Sequence, residues 1–191
     1  MFSLHLEHHI ISEDSLAYEA FWRLSHGQNF HTILFRGQDI CNMLLVVDNK
    51  EIFLGVLCLS EFIKCAPFTS SEMENLHVNE IYNRNASICL YHQDPEIMYQ
   101  KAAYTFSLYP NKKALPVIDN DKNILDIITQ NQVFYQQRYN EKKLPRMHYA
   151  RSIYNAAILA KNLKYNRMSV LEFGVAAGHG LLNLEFHARE C

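Results

Sequence analysis

The clearest alternation of apolar and polar segments lies in the second half of the chain and predicts five elements. Their order is strand, helix, strand, strand, helix, over residues 88–91, 94–108, 114–119, 124–129 and 130–139. Asp94 and Pro95 mark the first helix start, because aspartate accepts hydrogen bonds from free helical N–H groups and proline suits the first helical position. The polar run 120–123 between two apolar strands has turn chemistry and predicts a β-hairpin.

An earlier stretch repeats this order of elements. It predicts a strand ending at Ile11, a helix capped by Ser12, a hairpin and a second helix, over residues 10–11, 13–24, 43–48, 52–57 and from 60 onward. The hairpin sequences 46–49 and 117–120 match at a distance of 71 residues. The first copy is 11 residues longer between helix cap and hairpin, and we interpret residues 26–42 as a loop insertion. The first 138 residues are therefore interpreted as a duplicated unit.

The last quarter of the chain has a different pattern. Residues 139–148 are polar and basic and predict a connector. Residues 149–165 predict a helix, since apolar side chains recur on one face at helical spacing: Ile153, Ala156, Ala157, Ala160 and Leu163. A strand is predicted over 169–173, a loop of small residues over 174–180, and another helix from Leu181.

Composition and charge limit the classes of function. The 191 residues are 49 % hydrophobic and 20 % charged, with a formal net charge of −2, which is typical of a globular rather than a disordered protein. A nucleic-acid partner is not expected, because binding phosphates needs a basic face. No apolar run approaches the roughly 20 residues that cross a membrane, and the start of the chain lacks the pattern of a signal peptide. We therefore expect a cytoplasmic protein without a membrane partner.

The reactive residue types point to structural roles. The cysteines are odd in number and form no CxxC pair, so buried thiols in a reducing compartment are the simplest interpretation: Cys41, Cys58, Cys65, Cys89 and Cys191. No close ligand pair predicts a metal site. The acidic side chains at 94, 96, 119 and 121 are typical of caps and turns. No catalytic residue is expected.

The duplicated strand–helix–strand–strand–helix unit resembles a tandem pair of CBS (cystathionine β-synthase) domains, also called a Bateman module. The residues that carry the resemblance are 45–48 with 54–61, and 114–119 with 124–129. It covers about residues 4–138 and implies an α/β (α+β) fold of two β-α-β-β-α units. CBS domain 1 is then expected at 1–66 and CBS domain 2 at 67–138. An unrelated α+β domain with two similar hairpins is the alternative.

The resemblance also implies two clefts, which in the family commonly bind adenosine compounds such as AMP, ATP or S-adenosylmethionine. A Thr or Ser after the return strand and an acid three residues later contact phosphate and ribose there. A carboxylate suits the ribose because it accepts from both hydroxyls. By position the first copy offers Cys58 and Glu61, and the second offers Thr129 and Gln132, with Lys113 as the basic candidate for phosphate. Both copies depart from the pattern, and the cleft with Glu61 keeps the charge. A pair used only for homodimerisation or domain packing is the alternative.

Residues 170–178, Val-Leu-Glu-Phe-Gly-Val-Ala-Ala-Gly, resemble motif I of class I S-adenosylmethionine-dependent methyltransferases. The resemblance implies that Glu172 lies near the methionine amino group and that the following small residues wrap the cofactor: Gly174, Ala176, Gly178 and Gly180. Ala176 departs from the commoner glycine. Residues 139–191 would then be a linker helix and a Rossmann-like first βα unit. An ordinary strand–turn–helix is the alternative.

Only 11 residues follow Gly180, whereas the ribose-binding acid of such a domain lies about 20 residues beyond the loop. We therefore expect a fragment of a longer CBS–methyltransferase fusion, with S-adenosylmethionine as cofactor only if that domain is completed, and no turnover by this chain. Two functions remain. The preferred one is a regulatory or interaction module that senses an adenosine ligand or forms a homodimer. The other is the N-terminal part of a methyltransferase.

Overall fold

The computed structural model describes residues 6–31, 43–65, 70–163, 165, 168–171 and 178–190. Within these ranges the strands are β1 (Ile10–Ser12), β2 (Met43–Val47), β3 (Phe53–Cys58), β4 (Cys89–Leu90), β5 (Ala114–Ile118) and β6 (Ile124–Thr129). The α-helices are α1 (Ala17–His31), α2 (Leu59–Cys65), α3 (Ser70–Asn75), α4 (Pro95–Leu108), α5 (Gln130–Asn140), α6 (Met147–Asn162) and α7 (His179–Glu190). Two short 3-10 turns, Leu6–His9 and Val78–Glu80, complete the described elements. None of the described helices combines the length and apolarity needed to cross a bilayer.

The strands form two three-stranded sheets of the same design. In the order β1-β2-β3 and β4-β5-β6, the first pair is parallel and the second is antiparallel. A register irregularity lies between Val46 and Val47 in one sheet and between Val117 and Ile118 in the other. The predicted order of elements, two β-α-β-β-α units, is confirmed. The register irregularity also recurs in the second sheet, 71 residues after its position in the first.

The two hairpin turns have the same hydrogen-bonding pattern. In each, an aspartate side chain, Asp48 or Asp119, accepts hydrogen bonds from the backbone N–H groups two and four residues later, at 2.8 and 2.9 Å. The third residue after the aspartate, Glu51 or Lys122, is left-handed, with φ of 62° and 63°. The aspartate therefore sets the turn, and no glycine is needed.

The two sheets pack face to face. One buried cluster joins Met43, Leu45, Val47, Phe53 and Val56 of the first sheet to Ala114, Ile118 and Ile124 of the second. The hairpin turns also meet, since the Phe53 N–H donates to the Lys122 carbonyl at 3.0 Å. Side chains alternate along a strand, so the intervening residues of β2 and β3 pack on the other side against α1 and α2. Burial on both faces explains why β2 and β5 are continuous apolar runs.

The start of α1 differs from its prediction. Ser12 does not cap this helix, because its hydroxyl accepts from the Asp14 N–H in a turn and the helix begins only at Ala17. The Ala17 N–H donates instead to the Leu76 carbonyl at 2.7 Å, so a distant segment satisfies this helix end. Part of the predicted loop insertion, residues 26–31, belongs to α1, and residues 32–42 lie outside the described residues.

The connector and the last two helices pack on α5. Tyr135 of α5, Leu144 of the connector and Ala150 of α6 form a buried cluster, and Phe186 of α7 packs against it. Both predicted helices are found, with shifted ends, as α6 and α7. Of the strand predicted over 169–173, residues 169–171 belong to neither sheet and the other two lie outside the described residues. A strand needs a neighbour for its backbone hydrogen bonds, and both described sheets are three-stranded without it.

Candidate functional site

The four candidate residues that follow the return strands lie at two helix starts. Cys58 and Thr129 end β3 and β6 and immediately precede α2 and α5. Glu61 and Gln132 are the third residues of those helices. The sequence correspondence between the copies is therefore also a correspondence in space.

In the second unit both candidates take part in a capping box. The Thr129 hydroxyl accepts from the Gln132 N–H at 3.2 Å, and the Gln132 side-chain oxygen accepts from the Thr129 N–H at 2.9 Å. Each side chain thereby satisfies a backbone donor that the helix start leaves unpaired. The capping role of Thr129 and Gln132 was not predicted, although a Thr followed three residues later by Gln is the usual sequence signal of a capping box.

In the first unit Glu61 caps the helix with a charged group. Its Oε2 accepts from the Cys58 N–H and from the Ser60 hydroxyl, both at 3.0 Å. Its Oε1 lies 3.3 Å from the Lys64 ammonium. The Glu61 side chain is 11 % exposed and that of Lys64 is 71 % exposed. The result is a nearly buried carboxylate whose counter-ion stands mostly in water.

The pKa of the Cys58 thiol depends on the charges around this helix start. This pKa is raised to about 11, chiefly by burial and secondly by the Glu61 carboxylate, against lowering by the ammonium groups of Lys112 and Lys64. The thiol is therefore protonated at neutral pH and is a poor nucleophile. Lys112 comes from the second unit, just before β5, whose Ala114 packs in the same cluster as Cys58. The Cys58 thiol therefore responds to a carboxylate of its own unit and to cations of both units.

The predicted phosphate-binding lysine, Lys113, directly precedes β5. Its side chain is exposed, and its carbonyl accepts from the Gln130 N–H at 2.8 Å, which places it at the start of α5 in its own unit. Lys112 was missed because successive side chains of an extended segment point to opposite sides, and the sequence does not show which side faces the first unit.

The motif predicted at the C-terminal end lies mostly outside the described residues, which exclude Glu172, Gly174 and Ala176. Gly178 is left-handed, with φ of 74°, and directly precedes α7. Gly180 is buried in the first turn of α7 and so belongs to the helix rather than the loop. An open apolar groove of about 720 Å³ lies between α6, residues 163, 165 and 168–171, and α7, and its lining includes Ile153, Ala156, Leu159, Met168, Val170 and Leu184.

Comparison with known proteins gives matches in structure only. No protein-family model matches the chain, and neither does any curated protein sequence. The CBS-pair protein CBSX2 from Arabidopsis thaliana aligns with 15 % identity and a TM-score of 0.50, over 70 % of this chain and 88 % of that one. CBSX2 has also been solved in complex with AMP, where the TM-score is 0.49 at 16 % identity.

Two further solved structures align over a similar part of the chain. A hypothetical conserved protein from Geobacillus kaustophilus has 14 % identity and a TM-score of 0.50, over 69 % of this chain and 87 % of that one. The soluble part of a magnesium transporter has 19 % identity and a TM-score of 0.48 over 65 % of this chain. This chain spans 41 % of the length of that transporter fragment.

Proposed function

We propose that this chain, whose fold is that of a CBS-domain pair, is a regulatory module that binds an adenosine-type anion beside the start of α2. The observation that carries the proposal is the nearly buried Glu61 carboxylate, which accepts from the Cys58 N–H at the start of α2, while Lys112 of the other unit lowers the pKa of the Cys58 thiol. A carboxylate suits ribose hydroxyls and an ammonium suits phosphate. The proposed module comprises units 1–66 and 67–138. We place it in the cytoplasm because the number and spacing of its cysteines are typical of reduced thiols.

Glu61 has capacity left for a ligand. A carboxylate offers about four acceptor positions, and its described contacts are the Cys58 N–H, the Ser60 hydroxyl and the Lys64 ammonium. The Lys64 side chain is mostly exposed, so it can turn away without losing a buried contact. A ribose hydroxyl can then take its place on Oε1, while the helix cap on Oε2 is retained.

The second helix start is the weaker of the two. Gln132 carries no charge, and its side-chain oxygen is engaged with the Thr129 N–H. Loss of a charge-assisted hydrogen bond costs about 1.5–3 kcal/mol, which is about tenfold to a hundredfold in affinity. We therefore assign the tighter ligand site to Glu61 and only a weak one to Thr129 and Gln132.

The test is a thermal-shift and calorimetric panel on the full chain with AMP, ADP, ATP, NADH, S-adenosylmethionine and S-adenosylhomocysteine. A ligand at about 100 times its Kd stabilises by about 2.7 kcal/mol, which shifts the Tm of a chain this size by roughly 5–10 °C. Glu61→Gln and Lys112→Met should each weaken the effective ligand at least tenfold. Lys113→Met, a change of the exposed neighbour, is the matched control and should leave affinity unchanged. Absence of any shift, or a shift that survives both site variants, contradicts the proposal.

We also propose that the module forms a homodimer through an aromatic face of α1. Tyr18 and Trp22 on this helix are 58 % and 49 % exposed, and Ile63 of the neighbouring α2 is 70 % exposed. Large apolar side chains exposed on two neighbouring helices favour burial against a partner, here a second copy. Light scattering of the full chain should give twice the monomer mass, and Trp22→Glu should reduce it to that of one chain. A monomer mass for the wild-type chain would refute the proposed homodimer.

The second candidate is S-adenosylmethionine binding at the small-residue segment before α7, as the resemblance to methyltransferase motif I implies. Its support is Gly178, which adopts the left-handed conformation directly before a helix start, as a cofactor-wrapping loop requires. S-adenosylmethionine should then stabilise the chain, and Glu172→Ala should abolish the effect while Glu61→Gln retains it. The opposite pattern would place that ligand beside α2.

A further inference from the structure

A fully buried histidine joins the last helix to the second unit. His187 of α7 has no exposed surface. Its Nε2 lies 2.9 Å from the Pro145 carbonyl, and its Nδ1 lies 3.0 Å from the Tyr135 hydroxyl. Pro145 belongs to the connector and Tyr135 to α5, so one imidazole ring bridges three segments of the chain.

Burial favours the neutral ring, and in that form the two contacts select one tautomer. A carbonyl oxygen only accepts, so Nε2 carries the proton and donates to Pro145. Nδ1 is then an acceptor, and the Tyr135 hydroxyl donates to it. Both ring nitrogens are satisfied without charge. This is the arrangement that a histidine without exposure to water requires.

We infer that α7 is a proton-sensitive latch, held on α5 and the connector at neutral pH by neutral His187 and released when the ring is protonated. A second proton on the ring places a positive charge in a site closed to water. Among residues whose side chains the structure describes, no carboxylate lies within ion-pair distance of the ring. The bridge therefore lacks a counter-ion for imidazolium, and undocking α7 supplies water instead.

The charged groups of the packed elements do not offset this charge. His148 of α6 is exposed and, being basic, opposes protonation of His187. The described charged side chains of α5, the connector and α7 are all exposed: Arg138, Glu141, Lys142, Lys143, Arg146 and Glu185. Burial lowers the pKa of His187 below its usual 6.5, the hydrogen bond to Pro145 raises it, and His148 lowers it again. Because the pKa of His187 is lower when α7 is docked than when it is released, the docked state loses stability as the pH falls below 6.5.

Amide hydrogen exchange on the full chain tests the latch. Between pH 7.5 and 5.0, protection factors over residues 181–188, corrected for intrinsic exchange, should fall by up to about 30-fold, the limit for one histidine with an unperturbed pKa of 6.5. The amides of β2, β3, β5 and β6 should keep their protection. His187→Gln should be less protected at pH 7.5 and lose the pH dependence. His179→Gln, which removes an exposed histidine at the start of the same helix, should keep it.

Three results would overturn the inference: protection of α7 that does not change with pH, the wild-type pH dependence in His187→Gln, or a loss shared equally by the strands. A direct measurement covers the case in which His187→Gln does not fold. Nitrogen-15 spectra of the wild-type imidazoles should show His187 protonated on Nε2 and titrating below 6.5. Titration at or above that value, or a proton on Nδ1, would equally refute the latch.

Discussion

Replacement of Glu61 separates its role as a helix cap from its role as a charge. Glu61→Ala removes the acceptor of the Cys58 N–H and the Ser60 hydroxyl in a site where the side chain is 11 % exposed. Hydrogen bonds to a charged group are worth about 1.5–3 kcal/mol. The contact with Lys64 adds little, because that side chain is 71 % exposed and an exposed pair contributes about 0–1 kcal/mol. We therefore expect Glu61→Ala to cost about 2–3 kcal/mol.

Glu61→Gln keeps an oxygen in the same place and removes only the charge. A neutral acceptor is about half as strong as a charged one, so the expected cost is about 1 kcal/mol. For a chain of this size each kcal/mol corresponds to roughly 2–4 °C in Tm. Thermal melts at pH 7.5 should rank wild type above Glu61→Gln, and Glu61→Gln above Glu61→Ala. If Glu61→Ala melts with the wild type, the carboxylate does not cap α2.

The same variant changes the Cys58 thiol in a calculable direction. Glu61 raises the pKa of that thiol, which lies at about 11, but burial is the larger cause. In Glu61→Gln the thiol pKa should therefore fall while staying above its usual 9.0. Each unit of decrease raises the thiolate fraction, and the maleimide reaction rate, about tenfold. The assay uses chains in which the other four cysteines are alanine, with the fold checked by circular dichroism. Lys112→Met should move the pKa the other way, and an unmoved titration in both variants would refute the action of these charges on the Cys58 thiol.

Three further predictions concern stability. Gly55→Ala should cost about 1–3 kcal/mol in chemical denaturation, because a Cβ would collide with a backbone carbonyl oxygen and lie 2.7 Å from the Tyr82 ring; wild-type stability would show that this segment shifts freely. Thr129→Ala should cost about 0.5–2 kcal/mol and Thr129→Ser much less, since serine keeps the capping hydroxyl; equal losses would mean that the methyl group, not the cap, matters. The Asn123 side chain holds the pKa of Asp119 below its usual 3.8. The ionised Asp119 therefore stabilises the fold above pH 3.8, and this contribution is lost as the pH falls through the lowered pKa. The free energy of unfolding should depend less steeply on acid pH in Asn123→Ala than in the wild type, and identical pH dependence in both would contradict the interaction.

Local patterns predicted much of this fold because they depend on neighbours in sequence. Asp94 accepts from the Glu96 N–H and caps α4 as expected, with Pro95 at its first position. The aspartates of both hairpins set their turns through bonds reaching no further than four residues. The same holds for the candidate site: positions 58, 61, 129 and 132 follow from strand ends and helix starts, and the structure places all four there.

Other features have causes far away in sequence. Ser12 has the right residue type for a cap, but the Leu76 carbonyl satisfies the start of α1 instead. Lys112 and Lys113 are equivalent in the sequence, and only the packing of β5 against the first sheet decides that Lys112 acts on the Cys58 thiol. Sequence patterns of a few residues do not predict these two features, because both features depend on which surfaces of the folded chain pack together.

The repeat, the order of strands and helices, the turns and the candidate positions 58, 61, 129 and 132 could all be predicted from the sequence. Each depends on residue type and on a spacing of a few residues. The tertiary structure alone decided which charges share a site and which polar groups are sealed from water. Tyr135 and Pro145 lie 52 and 42 residues from His187 along the chain, yet both contact its buried ring. Burial and electrostatic coupling depend on distance in space, and the packing of the two units and the last helices sets that distance.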